Sequence, residues 1–286
     1  MDANFWLIQT FNGVSYGALL FLLASGLTLI FGVMRIVNLS HGAYFLLGGY
    51  VAITVIRGTG SWLLALPAAA LAIALIGLVV ERVFLRPLGF DPLRQVLLSV
   101  GFAYLFQQAA LDIWGGDNLD IVPPAVLKES AVIGGFYFPT YRIFMIGMAV
   151  LVGIILWLAM EKTRMGAMVR ATVDDAEMAR GVGINTSRVS MFMFALGAFL
   201  AGLGGVIGGA FLGVYPGLDF AILPIAFAVV IIGGMGSLTG AAVGSLLVGL
   251  ADNFGKALFP EISYFTLYAP MVLILALKPT GLFGRE

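Results

Sequence analysis

The side chains able to do chemistry in this chain are few and scattered. Its single histidine, His41, lies in the run Ile36-Val37-Asn38-Leu39-Ser40-His41-Gly42. An imidazole titrates near neutral pH and can carry a proton. Asn38, Ser40 and His41 can therefore mark the inner end of a polar path, although Asn38 or Ser40 can equally cap a helix that starts beyond them. Gln108 and Asp112 are four residues apart and so share a helix face, with Gln107 beside them. Glu81, Arg142, Asp219 and Asp252 also stand at or near the ends of apolar runs. Glu81, Arg142 and Asp219 read as interfacial groups reaching outward, because an ionised group inside lipid is costly.

These residues do not assemble a catalyst. There is no Ser/His/Asp ordering, no Gly-x-Ser-x-Gly and no His-Glu-x-x-His. One histidine and no cysteine supply no metal site and no disulfide, and no cofactor is expected. The phosphate-cradling Gly-x-x-x-x-Gly-Lys-Ser/Thr loop is missing too. The chain reads as a non-enzyme, and active transport through it would need a partner's ATP or an ion gradient.

Composition says where these groups must be held. Of the 286 residues 61% are hydrophobic and 10% charged, with formal net charge zero. Nothing in the Lys/Arg pattern suggests nucleic acid. Apolar windows fall at about 9–33, 39–56, 61–80, 95–114, 142–160, 189–212, 220–235, 237–252 and 264–278. Hydrocarbon cannot satisfy backbone N–H or C=O groups, so such windows should be helices. The expected fold is an all-α polytopic membrane protein, a single domain over 1–286, with about eight or nine spans. The windows 220–235 and 237–252 are short, and Pro224 and Gly233-Gly234 interrupt the first. They read as discontinuous or re-entrant helices of the kind that line a pathway.

Basic residues orient the chain. With the N-terminus outside, eleven Lys and Arg fall in inner segments (Arg285 among them) and only Arg57, Lys128, Arg142 and Lys256 in outer ones. Basic loops stay in the cytoplasm, so N-out and C-in is expected. The loop from Gly115 to Thr140 is then outside, long enough for a lid or a docking surface.

Glu161 to Arg188 holds five of the fifteen basic residues and four acidic ones between two long apolar runs. Asp174 and Glu177 form a capping-box-like pair, and Gly181 and Gly183 supply stops. A short helix over 175–182 is expected, with Ala176, Ala179 and Val182 on one side, after another over 165–171. Helices this short are marginal alone and need something to dock on. Small residues also repeat at four-residue spacing, notably Gly204, Gly205 and Gly208 and then Gly236 and Gly240, which lets helix backbones approach closely.

Three stretches carry a family resemblance: Asn38-Leu39-Ser40-His41-Gly42-Ala43, Arg170-Ala171 through Gly183-Ile184, and Gly233-Gly234-Met235-Gly236-Ser237-Leu238-x-Gly240-Ala241. In order, over about 10–280, they resemble the inner-membrane permeases of branched-chain amino acid ABC importers, the LivH-type subunit more than the LivM-type. The resemblance implies a multi-pass protein of the bacterial inner membrane, paired with a second permease as a heterodimer. It also implies two cytoplasmic ATPase subunits and a periplasmic solute-binding protein. On that picture 161–188 is the coupling loop, with Asp174, Asp175, Glu177, Arg180 and Gly183 at the ATPase. Ala176-Glu177-Met178-Ala179…Gly183 is similar to the Glu-Ala-Ala…Gly loop of ABC importers, with Met178 in place of an Ala. Asn38, Ser40, His41, Gln108 and Asp112 are candidates for the substrate path. The solute is expected to be a branched-chain amino acid or a related small polar molecule, since similar permeases import urea, amides, and aromatic or dicarboxylic acids. The competing expectation is a stand-alone secondary transporter or channel using Asp112, Asp252 or His41.

Overall fold

The computed structural model describes residues 3–89 and 91–284. Each of the nine apolar windows folds as a helix. These helices are α1 (Ala3–Met34), α2 (His41–Thr59), α3 (Trp62–Val79), α4 (Pro92–Trp114), α6 (Thr140–Lys162), α9 (Thr186–Leu212), α10 (Leu218–Gly233), α11 (Leu238–Leu258) and α12 (Ser263–Leu277). Three shorter helices join them: α5 (Ala125–Lys128), α7 (Arg164–Asp174) and α8 (Ala176–Gly181). A two-stranded antiparallel hairpin, β1 (Ser130–Ile133) and β2 (Phe136–Pro139), leads into α6. Among the described residues seven helical segments are long and apolar enough to cross a membrane, and α10 is a shorter apolar helix. The all-α polytopic fold expected from composition is the fold observed. Arg285, counted in the charge balance, lies outside the described residues.

The bundle is built around α9, which packs against α1, α2 and α3, while α1 and α11 form the other extensive helix pair. Small residues make this possible. A Cβ placed on Gly17 would lie 2.7 Å from the Ser245 carbonyl, and one on Gly26 2.6 Å from the Gly197 carbonyl. Gly48 faces Gly202, Gly240 faces Gly233, and Gly205 abuts the Phe45 carbonyl. Gly204 and Gly208 pack against the Phe45 ring. Gly236 has a different setting: it lies in the turn between α10 and α11, φ +84°, with its backbone against Gly32.

α2 is enclosed by protein. From His41 to Tyr50 every residue is buried, which explains how a stretch with two tyrosines, a histidine and three glycines is accommodated. The His41 ring lies beside Leu23 and Gly26 of α1. At 1.5 Å per residue that level is about 12–17 Å back from the end of α1 at Met34.

α10 starts in an unusual place. After α9 the chain pairs Val214 with Leu119, presses Val214 on Gly49, and then sets the Asp219 carbonyl against Gly42. It thus returns along α2 by about 10 Å before α10 begins. α10 has sixteen residues with Pro224 inside, in keeping with the short broken helix expected, whereas α11 runs on to twenty-one. Pro224 cannot donate a backbone N–H, so the Phe220 carbonyl lacks its helical partner.

Two interfacial assignments are corrected here. Asp219 and Glu81 are each 2% exposed and do not reach outward. Asp219 is enclosed because α10 begins against α2. Glu81 lies in a π-helical turn (Val80–Leu85) that widens the end of α3 and packs on α4 and α9. Arg142 is bonded to Asn12 and lies 5.3 Å over the Phe211 ring, tying α6 to α1 and α9.

Candidate functional site

Three helices frame an apolar groove of about 440 Å³. Val100 and Tyr104 of α4 form one wall, Phe220 and Phe227 of α10 another, and Tyr268 of α12 closes the side. Leu39, from the turn between α1 and α2, reaches it as well. The Tyr104 and Phe220 rings meet at 5.2 Å between centroids. Such a volume is in the range of small-molecule sites.

The candidate path residues divide around this groove. Gln108 and Asp112 are one and two turns beyond Tyr104 on α4, so they extend the same helix face. Both are exposed, and the Gln108 amide donates to Asp112 at 2.9 Å. Asn38, Ser40 and His41 lie behind the groove and are fully buried. The Asn38 side-chain Oδ1 accepts from the Ser40 N–H (3.1 Å) and hydroxyl (2.7 Å), and His41 Nε2 donates to the Leu23 carbonyl at 3.0 Å. Ser40 stands at the N-cap position of α2 without a side-chain cap. The Asn38 side chain therefore shapes the turn, and its effect at the groove is to present Leu39. The Leu39 N–H donates to Ser99 Oγ of α4 at 3.1 Å, so this turn and the α4 wall are joined. Among the described residues, no hydrogen bond joins Asn38, Ser40 or His41 to Gln108 or Asp112. Along α4, Ser99 and Gln108 are nine residues apart, roughly 13 Å.

The second feature is the polar loop. α7 is capped by Thr163, whose hydroxyl accepts from the Gly166 N–H. α8 is capped by Asp175, whose carboxylate accepts from the N–H groups of Glu177 and Met178, both at 2.9 Å. Asp174, expected to be the cap, is the last residue of α7, so the break falls one residue later than the capping-box spacing suggests. At the other end the Ile184 N–H reaches the Ala179 carbonyl at 3.0 Å over Gly183 at φ +90°, which is a Schellman stop. Glu177 and Arg180 are exposed.

The face of α8 differs from expectation. Ala179 is buried, but Val182 is 71% exposed and Met178 66% exposed. The helix turns Ala179 toward the bundle and sets Met178 and Val182, four residues apart, on its outer surface. Sequence reasoning grouped Val182 with Ala179 and passed over Met178. The i, i+4 pair of apolar residues was the signal available.

Described this way, the molecule belongs to the class of polytopic membrane transport permeases: a helical bundle with an open lateral groove and a capped polar loop. A family model described as "Branched-chain amino acid transport system / permease component" matches residues 9–275. The chain is a member of that family. It is 32% identical to the high-affinity branched-chain amino acid transport system permease protein LivH of Escherichia coli K12, over 98% of this chain and 96% of that one. The corresponding BraD protein of Pseudomonas aeruginosa is 29% identical over the same shares. LivM of Escherichia coli K12 is 26% identical over 91% of this chain and 67% of its own.

Proposed function

We propose that this protein is one of two permease subunits of an ABC importer that carries branched-chain amino acids across a bacterial inner membrane. The observation that carries the substrate reading is the groove between α4, α10 and α12. Its walls are aliphatic and aromatic, suited to a branched side chain, and its volume exceeds that of one amino acid. The Phe220 carbonyl freed by Pro224 offers an acceptor for an ammonium group. A second permease, comparable to the LivM relative, closes the open side.

The N-terminus is outside and the C-terminus inside. The outer hairpin β1–β2 and the chain before it receive a solute-binding protein, and the loop over 161–188 receives ATPase subunits that hydrolyse ATP. Met178 and Val182 are apolar, exposed, and held on a doubly capped helix beside the charges of Glu177 and Arg180. Such a mixture suits a protein surface better than it suits water.

The test is uptake of labelled leucine, isoleucine and valine by proteoliposomes holding the full complex. ATP-dependent uptake of these three, with urea and dicarboxylic acids excluded, is expected. Uptake driven by an ion gradient without ATP would establish a stand-alone transporter instead.

A further inference from the structure

Arg35 is, among the described residues, the one non-glycine residue with a left-handed backbone, φ +53°. A Cβ disfavours that conformation, so something must hold it. The Arg35 guanidinium donates through Nη2 to the Val173 carbonyl at 3.3 Å. Val173 is in the last turn of α7, where carbonyls have no helical donor and a cation meets the negative end of the helix dipole. Two residues on, Asp175 starts α8. Arg35 therefore grips the joint between α7 and α8.

The other side of Arg35 leads to the groove. Ile36, Asn38 and Ser40 are buried, Leu39 is bonded to Ser99 on α4, and the Leu39 side chain is part of the groove wall. Around Arg35 lies a cleft of about 380 Å³, bounded on one side by Met34 and Gln95 and on the other by Thr172, Asp175 and Glu177. Interiors are otherwise close-packed. The α7–α8 joint thus has room to shift relative to the bundle, and the Arg35 side chain spans that space.

We propose that Arg35 is a positioning residue for energy coupling, through which a displacement of α8 reaches the 36–40 turn and the groove wall at Leu39. This inference rests on the reading that α8 is the ATPase contact. A rigid segment of five residues fixed at Ser99 then passes the movement on as a shift of Leu39 against α10. The left-handed turn at Arg35 sets the direction in which the side chain leaves the backbone.

The test separates coupling from stability. Arg35→Gly and Arg35→Asn both tolerate the left-handed turn and both remove the guanidinium. In the reconstituted complex, each is expected to leave subunit recovery and thermal stability at wild-type values. Leucine uptake and the stimulation of ATP hydrolysis by leucine-loaded binding protein should fall roughly tenfold, the scale of one charge-assisted hydrogen bond. Basal hydrolysis should persist. Wild-type uptake and stimulation in either variant would overturn the proposal, as would loss of the complex in both, which would make Arg35 a structural cap. The double variant Met178→Ser/Val182→Ser, which removes the exposed apolar pair of α8, serves as reference. If it uncouples while the Arg35 variants do not, only this inference fails. If it too behaves as wild type, the ATPase contact itself is misassigned.

Discussion

The rings of Tyr104 and Phe220 face each other at 5.2 Å across the junction of α4 and α10, where the chain has just returned along α2. Both line the groove, and Phe220 is exposed despite following a buried aspartate. Phe220→Ala should enlarge this point and weaken contact with an aliphatic substrate side chain. Loss of apolar burial on this scale is about 1–3 kcal/mol, so uptake at low leucine should fall roughly tenfold or more. Phe220→Trp should instead favour valine over leucine. Competition uptake in proteoliposomes measures both, and an unchanged valine-to-leucine ratio in both variants would remove the groove from the path.

Packing around α9 gives a sharper contrast. Gly205→Leu puts a side chain where the Phe45 carbonyl already lies, so two helix backbones must separate. Overpacking costs about 1–3 kcal/mol in forgiving cores, and more is expected against a fixed backbone. Gly147 on α6 has open space around its Cβ position. Gly147→Leu should be neutral in yield and in thermal stability in detergent while Gly205→Leu is poorly recovered. Equal stability of the two would contradict the packing described.

How legible the molecule was in its sequence depends on range. The nine windows marked the nine long or apolar helices because hydrocarbon imposes a local rule on every span. The glycine spacings on α9 were visible for the same reason. What escaped was set by contacts distant in sequence. Nothing near Asp219 says that Gly42 will lie against its carbonyl, so its burial was not readable. The cap moved from Asp174 to Asp175 because α7 runs on to Asp174, beyond the 165–171 that composition suggests, and the extended backbone at Asp175 separates the two helices. Leu39 drew no attention beside Asn38, Ser40 and His41, yet its side chain is the one from that run that reaches the groove.

Orientation can be read directly, since the chain has no cysteine. Lys128 lies in the segment before the hairpin, outer on the proposed topology, and is exposed; Gly181 lies at the end of α8 with open space around it. In intact, correctly oriented cells an impermeant thiol reagent should label Lys128→Cys and spare Gly181→Cys until the membrane is opened. The reverse pattern would invert the topology and remove α8 from any cytoplasmic partner.

The surface of α8 supports a prediction that distinguishes its two kinds of side chain. Met178 and Val182 are apolar and exposed, whereas Glu177 and Arg180 flank them with opposite charges. If the helix docks in a partner's groove, the apolar pair supplies most of the attachment and the charges mainly steer it. Met178→Ser with Val182→Ser should therefore reduce recovery of the ATPase subunits strongly, by roughly 2–4 kcal/mol if both side chains are fully buried in the complex. Rim charges are worth less, so Glu177→Ala with Arg180→Ala should weaken attachment modestly and make it less sensitive to salt. Gly183→Val attacks the same helix through its stop: a β-branched residue at φ +90° is strained, so the Schellman turn should open without any contact residue being changed. Affinity purification over a salt series, with ATP-driven uptake measured in parallel, reads all three. Membrane insertion should be normal in each, because none of these side chains enters the bundle. Full recovery of the ATPase in the Met178/Val182 variant would mean that the exposed apolar pair is not the contact, and the docking surface would have to be sought on α7.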